Sequence, residues 1–232
     1  MCERSHQRRI PQHVRTLGLA VLALLVPHAS PAQYDDTGAM RFEIDSESSW
    51  LHVLVYRGGL LRGLGHNHVV SHNEITGTVT VGQDPLQSEL ILEFRVADLT
   101  VDDPELRALA GPDFAGQIPG KDIAGTRANM LGKKLLQAEQ FPAIQIRSEQ
   151  ITGDMPDIEV EANIVVRGTE FAVVFPARVE LSSDSFIASG KLEITHAEMG
   201  LKPFKAMLGT LRVRDTLILN YEISGKRTIT SE

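Results

Sequence analysis

The chain has 232 residues, of which 42% are hydrophobic and 23% are charged, so it can bury a core and disorder is disfavoured. Its single cysteine excludes a disulfide framework and a cysteine-based zinc site. Its net charge of -7 disfavours a nucleic-acid-binding protein, because such proteins need clustered lysine and arginine.

The first 32 residues have the order of parts found in a secretory signal peptide. Arginines between residues 4 and 15 precede the apolar stretch 17–26, and Ser30-Pro31-Ala32 has the small side chains that a signal peptidase reads. This stretch is too short for a bilayer core, which takes about 20 apolar residues, so we expect no stable membrane anchor. We expect cleavage after Ala32, export to a periplasmic or extracellular space, and one mature domain over residues 33–232, because no linker or repeat divides it.

Most of the mature chain alternates apolar and polar residues with a period of two, which indicates strands with one buried face. The predicted strands are 41–44, 50–57, 74–81, 90–96, 143–151, 158–166, 171–181, 185–194 and 211–223. Residues 167–170 (RGTE) separate two of them as a tight hairpin turn. So many strands are more than an open sheet usually holds without curling or closing.

Two stretches break this alternation and predict helices. Residues 103–109 have Pro104 at a first-turn position, with Asp102 or Asp103 as the cap. Residues 122–136 space apolar side chains loosely at helical intervals, although Gly125 and Gly132 weaken that helix. Together the elements predict an all-β fold, an antiparallel barrel with a helical insertion that caps one end.

Several segments, in order along the chain, resemble motifs of the YceI-like family, whose members are also described as lipocalin-like polyisoprenoid-binding proteins. They are residues 42–49 (FEIDSESS), 139–148 (EQFPAIQIRS), 160–169 (VEANIVVRGT), 199–201 (MGL) and 212–217 (RVRDTL). Each motif is weak by itself, and their joint order makes the resemblance fairly specific. The segment Gly65-His66-Asn67-His68 resembles a subgroup that carries G-H-D-H at this place. Ser48 and Asn129 depart from the family pattern, which often has histidine at both positions.

The resemblance implies an extended, antiparallel, lipocalin-like barrel with a helix near one end. It also implies an elongated apolar pocket for the tail of an isoprenoid or a fatty acid, a periplasm-like location, and a possible homodimer.

The strand faces predict which side chains point into the barrel. These are Leu51, Val53, Val55, Ile75, Val79, Leu92, Phe94, Ile144 and Ile164. Each fully buried aliphatic side chain contributes about 1.5–3 kcal/mol, and a bound acyl or prenyl chain gains the same free energy per area. The alternative is that these side chains fill the barrel completely, and periodicity does not distinguish the two outcomes.

The outward face of the first long strand also carries apolar side chains, those of Trp50, Leu54 and Tyr56. An apolar outer face indicates cover by the 122–136 helix or by a partner subunit.

Four histidines are candidates for a polar site. His66 and His68 are two residues apart, so in an extended segment both point to the same side. The pair can offer two imidazoles to a zinc or copper ion, with His72 or His196 as a further ligand. A coincidental cluster on a solvated loop is the commoner outcome. A third reading places the pair at the mouth of the pocket, where it hydrogen-bonds a polar headgroup.

The leading hypothesis is a non-enzymatic, extracytoplasmic carrier of a small apolar ligand of isoprenoid or fatty type. The sequence has no G-x-S-x-G elbow, and its glycine-rich segment is not followed by G-K-[ST], so hydrolase and phosphate-loop functions are disfavoured. One alternative is a histidine-based metal-binding or haem-associated accessory protein. Another is a structural or stress-related domain with a filled barrel and a protein partner.

Overall fold

The computed structural model describes residues 38–228, so the expected signal segment lies outside the described residues. Twelve strands are present in this range. They are β1 (Met40–Ile44), β2 (Trp50–Gly58), β3 (His68–His72), β4 (Thr76–Val81), β5 (Glu89–Arg95), β6 (Thr100–Val101), β7 (Ala143–Asp154), β8 (Asp157–Val166), β9 (Thr169–Leu181), β10 (Ser185–Thr195), β11 (Lys205–Ala206) and β12 (Leu211–Arg227). The α-helices are α1 (Pro104–Leu109) and α2 (Gly120–Leu131). Short 3₁₀ turns lie at Ser46–Ser48, Arg62–Leu64, Pro85–Gln87, Val96–Asp98, Pro112–Phe114 and Met207–Gly209.

Eight of the strands close into an antiparallel barrel, in the order β1-β4-β5-β7-β8-β9-β10-β12 and back to β1. Closure depends on β12, which pairs with β10 along one edge and with both β1 and β2 along the other. Strands β3 and β6 continue outward from β2. The predicted all-β, lipocalin-like barrel is therefore confirmed, and closure pairs the edges that an open sheet would expose.

Period-two alternation determines which side chains form the core. In β8, the side chains of Val160, Ala162 and Ile164 are buried, whereas Glu159 and Glu161 between them are exposed. The β8–β9 hairpin turns at Arg167 and Gly168, whose φ angles of 52° and 70° are typical of a two-residue type I′ turn. Thr169, which was expected in the turn, already pairs with Val166 as the first residue of β9.

Both predicted helices are present, with different bounds. Asp103 caps α1, because its Oδ1 accepts hydrogen bonds from the backbone N–H groups of Glu105 (2.9 Å) and Leu106 (3.1 Å). Helix α2 ends at Leu131 rather than at residue 136, since Gly132 is already extended. Within the described range, no helix is long and apolar enough to cross a membrane.

The segment between His68 and His72 differs from the expected loop, because it forms strand β3. Four of its five residues are buried, so both faces of this strand are covered. A strand covered on both faces need not alternate apolar and polar residues, and the period-two pattern therefore did not reveal it. The outward Tyr56 is covered by the ring of Phe114, which follows α1 and meets Tyr56 edge-to-face at 5.2 Å. Phe114, which lies outside the predicted 122–136 helix, therefore covers this part of the outer face.

Candidate ligand-binding cavity

The barrel encloses an elongated cavity of about 600 Å³. Along β12 its wall runs from Leu211 to Ile223, which is roughly 40 Å of strand at about 3.3 Å per residue. Pockets that bind small molecules commonly measure about 300–1,000 Å³, and a dry cavity of about 150 Å³ already accepts benzene. The barrel is therefore hollow, and it has room for an extended chain.

The wall of this cavity is apolar along most of its length. All nine side chains predicted to point inward line it, namely Leu51, Val53, Val55, Ile75, Val79, Leu92, Phe94, Ile144 and Ile164. Strand β12 adds Leu217, Leu219 and Ile223, which the same alternation in the sequence would have selected. That these residues contact a ligand stays a prediction.

The charged and imidazole side chains on the wall lie at one end of the barrel. They are Arg57, His66, His68, Asp122, His196 and Arg212. The pairing of the strands brings them together, because Arg212 lies opposite Gly58 at the end of β2, and His68 lies opposite Val55. Helix α2, which carries Asp122, is held at this end by Arg127, whose guanidinium donates to the carbonyls of Ala97 and Leu99.

A buried network holds His68 in place. The Nδ1 atom of His68 lies 2.6 Å from Oδ2 of Asp102, whose side chain is fully buried. The other carboxylate oxygen, Oδ1, accepts hydrogen bonds from the Nη1 of Arg107 (2.6 Å) and from the backbone N–H of Val69 (3.0 Å). Asp102 has a φ of 58°, an uncommon backbone conformation for a residue other than glycine. Sequence reasoning singled out neither Asp102 nor Arg107 as part of this site.

Electrostatics determine which nitrogen of His68 carries a proton. Burial acts to raise the pKa of Asp102, but the hydrogen bond and charge of His68, together with the hydrogen bonds from Val69 and Arg107, outweigh burial and lower this pKa below its ordinary value. Asp102 is therefore a carboxylate at neutral pH, and the Nδ1 of His68 is its hydrogen-bond donor. The Nε2 atom lies on the side of the ring away from Asp102, and His68 lines the cavity.

The other candidate histidines have separate environments. His66 is exposed, and its ring centroid lies 6.4 Å from that of His68. His196 is buried, with Nδ1 2.8 Å from the carbonyl oxygen of Asp215.

His72 lies apart from this group and does not line the cavity. Its Nε2 donates to the carbonyl of Arg95 (3.1 Å), and its Nδ1 accepts from the N–H of Glu74 (2.9 Å). It is four residues from His68 along β3, or about 13 Å, which is too far to share a metal ion.

The described residues do not provide the metal site that the histidine spacing suggested. Within residues 38–228, no group of three or more histidine, cysteine, aspartate or glutamate side chains is placed to hold a metal ion. Several of the histidine ring nitrogens already have hydrogen-bond partners. The Nδ1 of His68 is bound to Asp102, and both ring nitrogens of His72 are bound to backbone groups.

Comparison with known proteins agrees with this architecture. The model of the YceI-like domain family matches residues 42–224. BcnA of Burkholderia cenocepacia superposes with a TM-score of 0.56 at 14% identity, over 78% of this chain and 98% of BcnA. A cysteine variant of a Campylobacter jejuni YCEI protein, crystallised with a monobromobimane guest, gives a TM-score of 0.50 at 8% identity, over 68% and 84% of the two chains. A search of curated protein sequences finds no significant match. At these identities, the solved structures show a shared fold.

Proposed function

Because this chain belongs to the YceI-like family, we propose that it is a carrier that holds a long apolar molecule, of isoprenoid or fatty type, inside its barrel. The observation that carries this proposal is the hollow interior of about 600 Å³ with an apolar wall. Transfer of an alkyl chain from water to such a wall is favourable by about 0.8 kcal/mol for each buried CH₂ group. Only part of this gain remains as affinity, because the bound chain loses conformational and translational freedom.

A non-enzymatic role is part of the proposal. Aliphatic side chains over most of the wall bind a chain by excluding water, and they supply neither a nucleophile nor an acid–base group. The hollow interior also favours a carrier over a structural domain with a filled barrel.

We further propose that the carrier acts outside the cytoplasm. The support is the basic, then apolar, then small-residue order of the first 32 residues. Intact-mass measurement of the protein expressed with its own N-terminus tests this directly. We expect a mature chain that begins at Gln33, give or take a few residues, in the exported fraction. A full-length chain retained in the cytoplasm would contradict the proposal.

A matched pair of alanine-to-tryptophan variants tests the carrier function. Ala188 on β10 lines the cavity, whereas Ala172 on the neighbouring strand β9 is exposed on the outer face. Ala188→Trp adds an indole inside the barrel, and Ala172→Trp adds the same group outside it. The readouts are native mass spectrometry of gently purified protein, and the shift in melting temperature with added long-chain lipids.

We expect wild type and Ala172→Trp to retain a co-purified lipid or to gain melting temperature with added lipid, and Ala188→Trp to lose both responses. Ala188→Leu, a smaller intrusion, should give an intermediate loss if Ala188→Trp folds poorly. A wild-type protein with no bound lipid and no thermal shift would refute the carrier function.

A further inference from the structure

The charged and imidazole side chains of the cavity wall lie at one end of the barrel. Binding of a purely apolar chain would not require them. Two arginines and three histidines line this end, against one carboxylate, that of Asp122 on α2. A second carboxylate near His68, that of Asp102, is paired with Arg107. The carboxylate of Asp215 is also close, with its Oδ1 3.9 Å from the Nδ1 of His196. The wall at this end therefore carries two guanidinium groups against one carboxylate, and it is rich in hydrogen-bond donors that an anion could use.

Within this group, His68 is held by a fully buried carboxylate. Asp102 accepts a hydrogen bond from Nδ1–H, which fixes the ring and leaves Nε2 as the polar atom for a ligand. A carboxylate or phosphate on the Nε2 side would place a negative charge on each side of the ring. In a ring that carries a proton on both nitrogens, Nδ1–H donates to Asp102 and Nε2–H donates to such an anion.

Arg57 provides a second donor beside His68. Its neighbour on the same face of β2, Val55, pairs directly with His68. The Nη1 of Arg57 donates to the carbonyl of Gly65 at 2.6 Å, which holds the guanidinium at the rim of the cavity. A planar guanidinium matches carboxylate and phosphate oxygens, often through two parallel hydrogen bonds.

Hydrogen bonds of Asn67 fix the segment between His66 and His68 to the neighbouring parts of the chain. The side chain of Asn67 accepts from the backbone N–H of Arg57 (2.9 Å) and donates to the carbonyl of Asp113 (2.9 Å). The carbonyl of Asn67 accepts from the buried Nη1 of Arg107 at 2.7 Å. Asn67, Asp102 and Arg107 are thus positioning residues, and a site held this rigidly loses little freedom when a ligand binds.

From this arrangement we infer that the carrier selects chains with an anionic headgroup, a carboxylate or a phosphate monoester, which binds to the Nε2–H of His68 and the guanidinium of Arg57. This inference rests on the proposed carrier function, because the headgroup binds only if the tail occupies the barrel. Neutral chains of the same length, such as alcohols, would use the apolar wall alone and bind more weakly.

The test compares three twelve-carbon amphiphiles that differ only in their headgroup: dodecanoate, dodecyl phosphate and 1-dodecanol. Each competes at neutral pH with the neutral fluorescent probe N-phenyl-1-naphthylamine, the two anions below their critical micelle concentrations and dodecanol below its solubility limit. The proteins are wild type, His68→Gln and the control His52→Gln, whose histidine lies on the outer face of β2, stacked on Trp50 at 4.3 Å. A charge-assisted hydrogen bond predicts that wild type and His52→Gln bind the better anion at least about tenfold more tightly than dodecanol.

His68→Gln should lose most of this preference while its affinity for dodecanol stays unchanged. Arg57→Gln should lower the same preference, and it serves as the second variant if His68→Gln folds poorly. The ratio of the affinities for the two anions identifies which headgroup the site prefers. Equal binding of dodecanol and both anions by wild type, or an undiminished preference in both variants, would overturn the inference and leave the carrier function standing. A wild-type protein that binds neither the probe nor any amphiphile would refute the carrier function itself.

Discussion

His68 and Asp102 are 34 positions apart in the sequence, yet Nδ1 of the first lies 2.6 Å from Oδ2 of the second. The short strand β6 produces this contact, because it pairs with β3 through Val70 opposite Val101 and Ser71 opposite Thr100. The next residue, Asp102, then exchanges two hydrogen bonds with Val69: its N–H donates to the carbonyl of Val69 at 2.8 Å, and its Oδ1 accepts from the N–H of Val69. The pairing of the two-residue strand β6 with β3 thus places the carboxylate of Asp102 beside His68, at the polar end of the cavity.

Asp102→Asn should lower the free energy of unfolding strongly. The substitution keeps the shape of the side chain but removes the charge that compensates the buried Arg107, and breaking such a pair costs about 3–5 kcal/mol. Asp103→Asn is the matched control, since Asp103 is an exposed helix cap and asparagine caps as well as aspartate. Urea unfolding measures both variants. A change below about 1 kcal/mol for Asp102→Asn would mean that the network contributes little to stability.

Much of the barrel could be predicted from the sequence because its strands alternate. In strands such as β2 and β8, one face meets the cavity or core and the other faces outward. Every second residue therefore points inward, and this alternation alone places Val53 and Ile164 on the inner face. The same logic failed for β3, where Val69 and Val70 are both buried and the pattern has no polar face.

The polar end of the cavity could be predicted only in part. The spacing of His66 and His68 indicated a shared side, and both line the cavity. Asp102, the hydrogen-bond partner of His68, could not be found in this way, because the β3–β6 pairing is a long-range contact that leaves no periodic signal. The spacing alone also suggested that His72 would join the pair, whereas it has its own backbone partners.

Stability should fall as the pH falls below about 6.5, and His72 should account for part of this loss. Burial is the largest influence and lowers the pKa of His72 from 6.5, although the hydrogen bond to Arg95 and the charges of Asp98 and Glu74 act to raise it. At pH values between the lowered pKa of folded His72 and 6.5, the imidazole of His72 binds a proton in the unfolded chain but not in the folded protein. Stability therefore decreases as the pH falls from about 6.5 towards the folded pKa, by at most about 1.4 kcal/mol per pH unit for one proton.

Urea unfolding at several pH values, for wild type and His72→Gln, measures this slope. The variant should be less stable at neutral pH, because it loses the acceptor for the N–H of Glu74, but its stability should depend less on pH. His52, whose pKa burial also lowers, contributes in the same direction, so His52→Gln should flatten the slope independently. An identical slope in wild type and His72→Gln would show that His72 is not protonated on unfolding.

Gly77 should tolerate no side chain, because β4 and β5 approach each other closely at this point of the barrel wall. Its φ is 145°, and a Cβ atom built there would lie 2.0 Å from the carbonyl oxygen of Ile91, a backbone atom that cannot turn aside. Gly77→Ala should therefore lower the free energy of unfolding by about 2 kcal/mol or more.

Gly63→Ala is the control, because nothing lies within 4 Å of a Cβ atom at that position, and its effect should stay within about 0.5 kcal/mol. The neighbours of Gly77 on the same face, Ile75 and Val79, line the cavity, so strain at Gly77 should also weaken binding of N-phenyl-1-naphthylamine. A Gly77→Ala protein as stable as Gly63→Ala, with unchanged affinity for the probe, would show that the pairing of β4 and β5 can relax without disturbing the wall.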